Sequence, residues 1–322
     1  MKAAPVMSRR YLIALCLLWA AGVIAAVVYT HQQGIPPRLA AWAALAVLLE
    51  LSFYLTLAFE EVRSKWGVGA LVALAPAPYL LYSAPAGVYS PLSMAAIWLG
   101  AAAVCGWFRW FGRKRGTDLL FLLLMAVPLL FKLFALVYAR PLPGLRLEFL
   151  GQLLWIRLGV LAVLQQRPER GIHFGFWPDR REWRIGIIYG LAGAAAALPA
   201  AWAAGVIRLA EWKGPWLTLG AAAGTFFGVF WVVALSEEFF FRGLLQQWLE
   251  QITGRAVPAL LLASALFGAA HLGFRQFPNW QFALLAGAMG VVYGLAFRAG
   301  GGIRAAMVAH ALVVVIWRVG FA

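Results

Sequence analysis

Apolar residues run along the chain in stretches of about 20, separated by short polar clusters. A helix needs about 20 apolar residues to cross the hydrocarbon core of a bilayer. On that measure the pattern predicts spans near 11–30, 39–58, 67–85, 94–108, 119–139, 149–166, 185–207, 216–240, 256–272, 281–298 and 303–319. That is about eleven spans, with a range of eight to eleven. The fourth is short, and Pro and Gly interrupt the third. The predicted fold class is all-α, a polytopic transmembrane helical bundle. The longest polar interruption, Gln165 to Arg184, divides the chain into an N-terminal transmembrane region, 1–165, and a C-terminal region, 170–322. The first run is long and lacks a small-residue cleavage site, so it reads as a retained anchor and not as a signal peptide. No internal repeat is visible, which argues against a transporter built from duplicated halves.

Composition narrows the class. Of 322 residues, 64% are hydrophobic and 12% charged, against roughly 45–50% and about 25% in soluble domains. A soluble enzyme, a secreted scaffold and a disordered tail are excluded. Cys16 and Cys105 lie inside apolar runs, which leaves no disulfide framework or Cys-rich metal site. The net charge of +15 comes from short clusters between spans and forms no continuous basic face, so nucleic acid is not an expected partner. Membrane lipids are. Alternating sides from a cytoplasmic N-terminus places eighteen Lys and Arg inside, in clusters such as Lys2/Arg9/Arg10, Arg63/Lys65, Arg109–Arg115 and Arg167–Arg184. Seven fall outside: Arg38, Arg140, Arg146, Arg208, Lys213, Arg275 and Arg318. That bias predicts a cytoplasmic N-terminus and an external C-terminus. Ala, Arg and Trp richness with short loops suggests a bacterial inner membrane.

Ionisable groups inside apolar runs are costly and so are functional candidates. In the first half these are Glu50, Lys132 and Arg157, and the two bases are candidate partners for the acid. The second half holds Leu235-Ser-Glu-Glu-Phe-Phe-Phe-Arg-Gly243. Glu238 and Arg242 are four apart, on one helical face, in the favourable acid-before-base order. Glu237 lies about 140° from Arg242 and is left to face elsewhere, free to serve as a general base. His271 and His310 fall in apolar runs, whereas His31 and His173 are expected in loops. A turn near Thr253-Gly254 puts Glu237 and His271 about 24 and 27 Å from it, at matching depth in an antiparallel pair. His310, about 10 Å into its own helix, reaches that level if the hairpin tip projects from the bilayer.

The sequence Glu237-Glu238-x-x-x-Arg242, then Phe267-x-x-x-His271, then a final-helix His310, resembles the CPBP family of intramembrane proteases, which includes the CAAX-processing enzyme and bacterial Abi proteins. The stretch Gly175-Phe-Trp-Pro-Asp-Arg-Arg-Glu-Trp-Arg184 resembles the polar lead-in to that family's core. The resemblance covers about residues 170–322 and implies an endopeptidase acting on membrane-anchored or membrane-embedded polypeptides. It implies that Glu237 activates water, that His271 assists, and that His310 binds the developing oxyanion. Glu238 and Arg242 would support them, together with Phe267. The family usually carries Asn or a similar polar residue four positions after the last histidine. Here that residue is Val314, which cannot donate to an oxyanion. One Glu and two His also match the ligand count of a catalytic zinc site, with Glu237, His271 and His310 as ligands. No HExxH pair is present, and a glutamate-activated water needs no cofactor, so no metal is favoured. A scaffold or immunity protein on the same fold is the rival reading, and a transporter a weaker one.

Overall fold

The computed structural model describes residues 9–60, 67–112, 114–172, 175–212 and 214–321. Lys2, Arg63, Lys65, Arg113, His173 and Lys213 lie outside the described residues. Among the described residues the chain forms helices and no β-strand. It divides into two compact units, Met1–Arg167 and Pro168–Ala322.

The first unit contains α1 (Arg9–Gln32), α2 (Pro37–Leu55), α3 (Val68–Ser83), α4 (Pro91–Phe111), α5 (Arg115–Leu130) and α6 (Glu148–Gln166). Pro37 and Pro91 open their helices where an N–H would lack a partner anyway. α6 is the core of this unit, with all but its ends buried, and α2, α4 and α5 pack on it. Its Arg157 donates through Nε and Nη2 to both carboxylate oxygens of Glu50, at 2.9 and 3.1 Å. Lys132 takes no part in that pair: it sits exposed in a turn beyond α5, at φ 54°.

The second unit contains α7 (Arg180–Ala203), α8 (Pro215–Thr253), α9 (Ala256–Ala270), α10 (Trp280–Gly300) and α11 (Ile303–Gly320). Asp179 caps α7 in a reciprocal box with Glu182. Apolar α11 is buried along most of its length between α7, α8 and α10. Close approach of α7 depends on small residues, since a Cβ on Gly186 would meet the Ala305 carbonyl oxygen at 2.6 Å. Small-residue contacts of this kind let helix backbones meet inside a membrane.

Among the described residues, eight helices are long and apolar enough to cross a bilayer. Large apolar side chains face outward, among them Leu92, Leu136 and Trp216 at 80–82% exposure. Surfaces of that kind are stable against lipid and not against water. The protein is an integral membrane protein. Three expected spans fall short of full length. α3 breaks at Ala75-Pro76 into two seven-residue pieces, and α9 has 15 residues. α5 stops at Leu130 after its internal Pro128, because Pro removes a helix hydrogen bond and crowds the preceding turn. The 216–240 span, by contrast, continues to Thr253 as one 39-residue helix. His31, expected in a loop, lies in the last turn of α1.

Candidate active site

The site is built around the middle of α8. This helix widens to π geometry over Val229–Ala234 and again over Phe239–Gln246, with Leu235–Glu238 as a single α-turn between. π segments within α-helices occur most often at functional sites. Two adjacent glutamates on this turn point in different directions. Glu237 borders a cavity of about 230 Å³ and keeps 26% of its side chain exposed, whereas Glu238 is wholly buried in the helix interface.

On the buried side, Arg242 Nε lies 3.2 Å from Glu238 Oε2. The contact is an ion pair without hydrogen-bond alignment, since neither atom has a hydrogen-bond partner. Arg242 donates from Nη2 to the Gly290 carbonyl at 3.0 Å and stacks its guanidinium 4.3 Å from the centre of the Phe267 ring. The expected Glu238–Arg242 pair is therefore present. What the spacing did not reveal is a second partner for Glu238: His310 Nδ1 lies 2.7 Å from its Oε1. Beside Arg242 the carboxylate is the acceptor and the ring N–H the donor, so Glu238 fixes the orientation of His310 as well as neutralising the arginine. Tyr293 stacks on the His310 ring, 4.5 Å between centres and 8° from parallel. Sequence reasoning missed Tyr293 because one aromatic in an apolar run carries no signal.

His271 stands just past the end of α9 and not within it, as its C-cap residue. Gly273 and Pro278 follow closely, and both disfavour continuing a helix. Its Nδ1 lies 2.8 Å from the Phe267 carbonyl. A carbonyl only accepts, so Nδ1 carries the hydrogen and the neutral ring presents a lone pair at Nε2. That nitrogen is 4.0 Å from Glu237 Oε2, and His310 Nε2 is 3.8 Å from the same oxygen. Both separations exceed a direct hydrogen bond and suit one bridging water with three polar neighbours.

The three residues thus meet at one point, at the depth expected from counting along α8 and α9. The cavity beyond them is lined mostly by apolar side chains, including Met289, Phe282 and Val313, and Val314 borders it as expected from its place one turn past His310. It runs to Trp317 and Arg318 near the far end of α11. Among the described residues, no group of three or more His, Cys, Asp or Glu is placed to hold a metal ion. Tetrahedral zinc with ligand bonds near 2.0–2.2 Å would separate its ligand atoms by about 3.3–3.6 Å, closer than the Glu237–histidine distances of 4.0 and 3.8 Å.

Residues 219–316 match the family described as type II CAAX prenyl endopeptidase Rce1-like. The match takes in Glu237, His271, His310 and Val314. This match, over about a third of the chain, supports a place in the CPBP/CAAX protease family. No curated protein and no solved structure matches the chain. At family level the match supports a CAAX-type intramembrane endopeptidase. Its working surroundings are accordingly membrane lipid and membrane-associated polypeptide.

Proposed function

We propose that the protein hydrolyses peptide bonds of membrane-anchored or membrane-embedded polypeptides with a water held between Glu237, His271 and His310. The observation that carries this reading is the convergence of Glu237 Oε2 with the Nε2 atoms of both histidines, at 4.0 and 3.8 Å, on the wall of an apolar cavity.

The roles of the two rings follow from their Nδ1 partners. His271 donates to a carbonyl, so its Nε2 lone pair faces the water and accepts one of its hydrogens. Glu237 takes the proton as water attacks the scissile carbonyl, then returns it to the leaving amine. His310 donates from Nδ1 to a carboxylate, which fixes the ring with Nε2 toward Glu237. A hydrogen carried at that Nε2 would reach the oxygen that becomes negative, the kind of interaction that lowers the barrier most in acyl transfer. Val314 contributes no donor, so His310 carries the oxyanion alone. We favour this metal-free mechanism over zinc because the separations are too wide for shared coordination. The charge bias supports a cytoplasmic N-terminus in a bacterial inner membrane.

Comparing membrane-protein termini in cells carrying wild type and Glu237→Ala tests the reading. New termini present only with wild type, insensitive to a zinc chelator applied to the purified protein, are the expected result. Identical termini would favour the scaffold reading, for which Val314 is the supporting observation. Loss of cleavage on chelation, restored by zinc, would favour the metal mechanism.

A further inference from the structure

The face of α8 that turns away from the cavity carries Glu238, Arg242, Gln246 and Glu250, each four residues after the last. None of the first three lines the cavity that Glu237 borders. Glu250 lies at the surface, where it pairs with Arg298 at 3.1 Å. Between that surface pair and His310 runs a file of polar groups through an apolar helix interface. Gln246 is 1% exposed, yet neither its Oε1 nor its Nε2 has a hydrogen-bond partner. Arg242 Nε and Nη1 and Glu238 Oε2 are in the same condition. An amide offers two donors and two acceptor lone pairs, and buried polar groups without protein partners are characteristically satisfied by ordered water.

The neighbouring helix is shaped for the file. Gly290 and Gly294 of α10 are also four apart, and each faces one of its members. A Cβ on Gly290 would meet Arg242 Nη2 at 3.2 Å, and one on Gly294 would meet Gln246 Oε1 at 2.6 Å. Two glycines on one face of α10 therefore leave room for two polar side chains on one face of α8. Ser264 of α9, itself 3% exposed, borders the same spot, since the Gly290 Cβ would lie 3.1 Å from its own Cβ.

We infer that Glu238, Arg242 and Gln246 form a water-binding file that leads from the Glu250–Arg298 surface to the catalytic centre. Its ligand is water, and Gln246 is a positioning residue that holds it. The inference rests on the proteolytic reading for its purpose. A peptide hydrolase inside a membrane consumes one water per bond broken, while its substrate fills the apolar cavity on the other side of α8. Substrate and water then arrive by separate routes.

The file can be tested without any substrate. The full chain, reconstituted in lipid nanodiscs and irradiated in 18O-labelled water, should be hydroxylated at Leu260, which is only 6% exposed and shares the Gly294 site with Gln246. Radiolytic labelling of buried side chains reports bound water beside them. Gln246→Leu should remove the label at Leu260 without lowering thermal stability. On a substrate found by the terminus comparison, Gln246→Leu should lower kcat about tenfold, as loss of one well-held water allows, with KM unchanged. Gln246→Asn should recover part of that loss. Absence of label at Leu260 in wild type would overturn the file. So would a Gln246→Leu protein that keeps its label or its kcat. The labelling result does not depend on cleavage, so failure of the proteolytic reading would leave it standing.

Discussion

Arg242→Ala tests how the site is held together. The substitution removes the guanidinium paired with Glu238, a carboxylate with no exposed surface. It also takes away the donor to the Gly290 carbonyl and the cation over Phe267. Breaking one side of a buried pair costs about 3–5 kcal/mol, and an unpartnered buried acceptor about 1–3 kcal/mol. These losses share one side chain and do not add, so about 4 kcal/mol is expected. For a unit of this size, each kcal/mol lowers the midpoint by about 2–4 °C, so Arg242→Ala in detergent should melt about 10 °C below wild type.

Two companion variants give that number its meaning. Glu237→Gln keeps the shape of a side chain that pairs with no arginine, so it should melt within about 2 °C of wild type while losing all cleavage. The double change Glu238→Met with Arg242→Leu removes both charges together and should recover most of the lost stability, because apolar replacement of a whole buried pair is often neutral or better. It should remain inactive, since His310 Nδ1 would have no acceptor. Scanning fluorimetry on the purified proteins measures all three. If Arg242→Ala melted with Glu237→Gln, or the double variant no higher than Arg242→Ala, the assignment of Glu238 and Arg242 to the framework would be wrong.

Two further outcomes are expected. A cysteine in place of Asp179, which caps α7 beside the basic Arg180/Arg181 cluster, should react with an impermeant thiol reagent only after cells are opened. One in place of Arg318 should react in intact cells, and the reverse pattern would invert the orientation. Val314→Asn should raise turnover by up to about 10²-fold by adding an oxyanion donor, with apparent binding little changed and the gain abolished in a Glu237→Ala background. Unchanged or lower turnover on folded protein would show that no donor is missing there.

Spacing alone carried much of the site. The i, i+4 relation of Glu238 to Arg242 and the matched depth of Glu237 and His271 require only that both segments be helical and antiparallel, and the π turn over Phe239–Gln246 still leaves Arg242 within reach of Glu238. Pairings between remote segments had no such signal. Glu50 with Arg157 could be proposed only as one of two partners, because periodicity fixes a residue's face and not which helix lies opposite. The bond from His310 to Glu238 was hidden for the same reason, as their 72 residues of separation contain two helices and three turns. The π segments of α8 were also illegible. Phe239-Phe-Phe241 is compatible with either helix type, so nothing local in the sequence marks the wider turn.

Consecutive glutamates on one helical turn give the site two carboxylates with unlike surroundings. Glu237 opens onto a cavity and approaches two ring nitrogens without reaching either, while Glu238 is closed in, bonded to His310 and paired with Arg242. Acid–base sites commonly work by placing similar groups in environments that divide their roles, and here one turn of α8 is sufficient for the division. The carboxylate on the cavity side can exchange a proton with water and substrate. The one behind it cannot, because its position is fixed by two cationic or donor side chains. A swap of the motif to a single glutamate at either place would therefore lose something different. On the proposed mechanism, loss of Glu237 would leave the water without its base. Loss of Glu238 would leave the water and base in place, but His310 could turn away from the oxyanion and Arg242 would be a buried cation without its carboxylate partner.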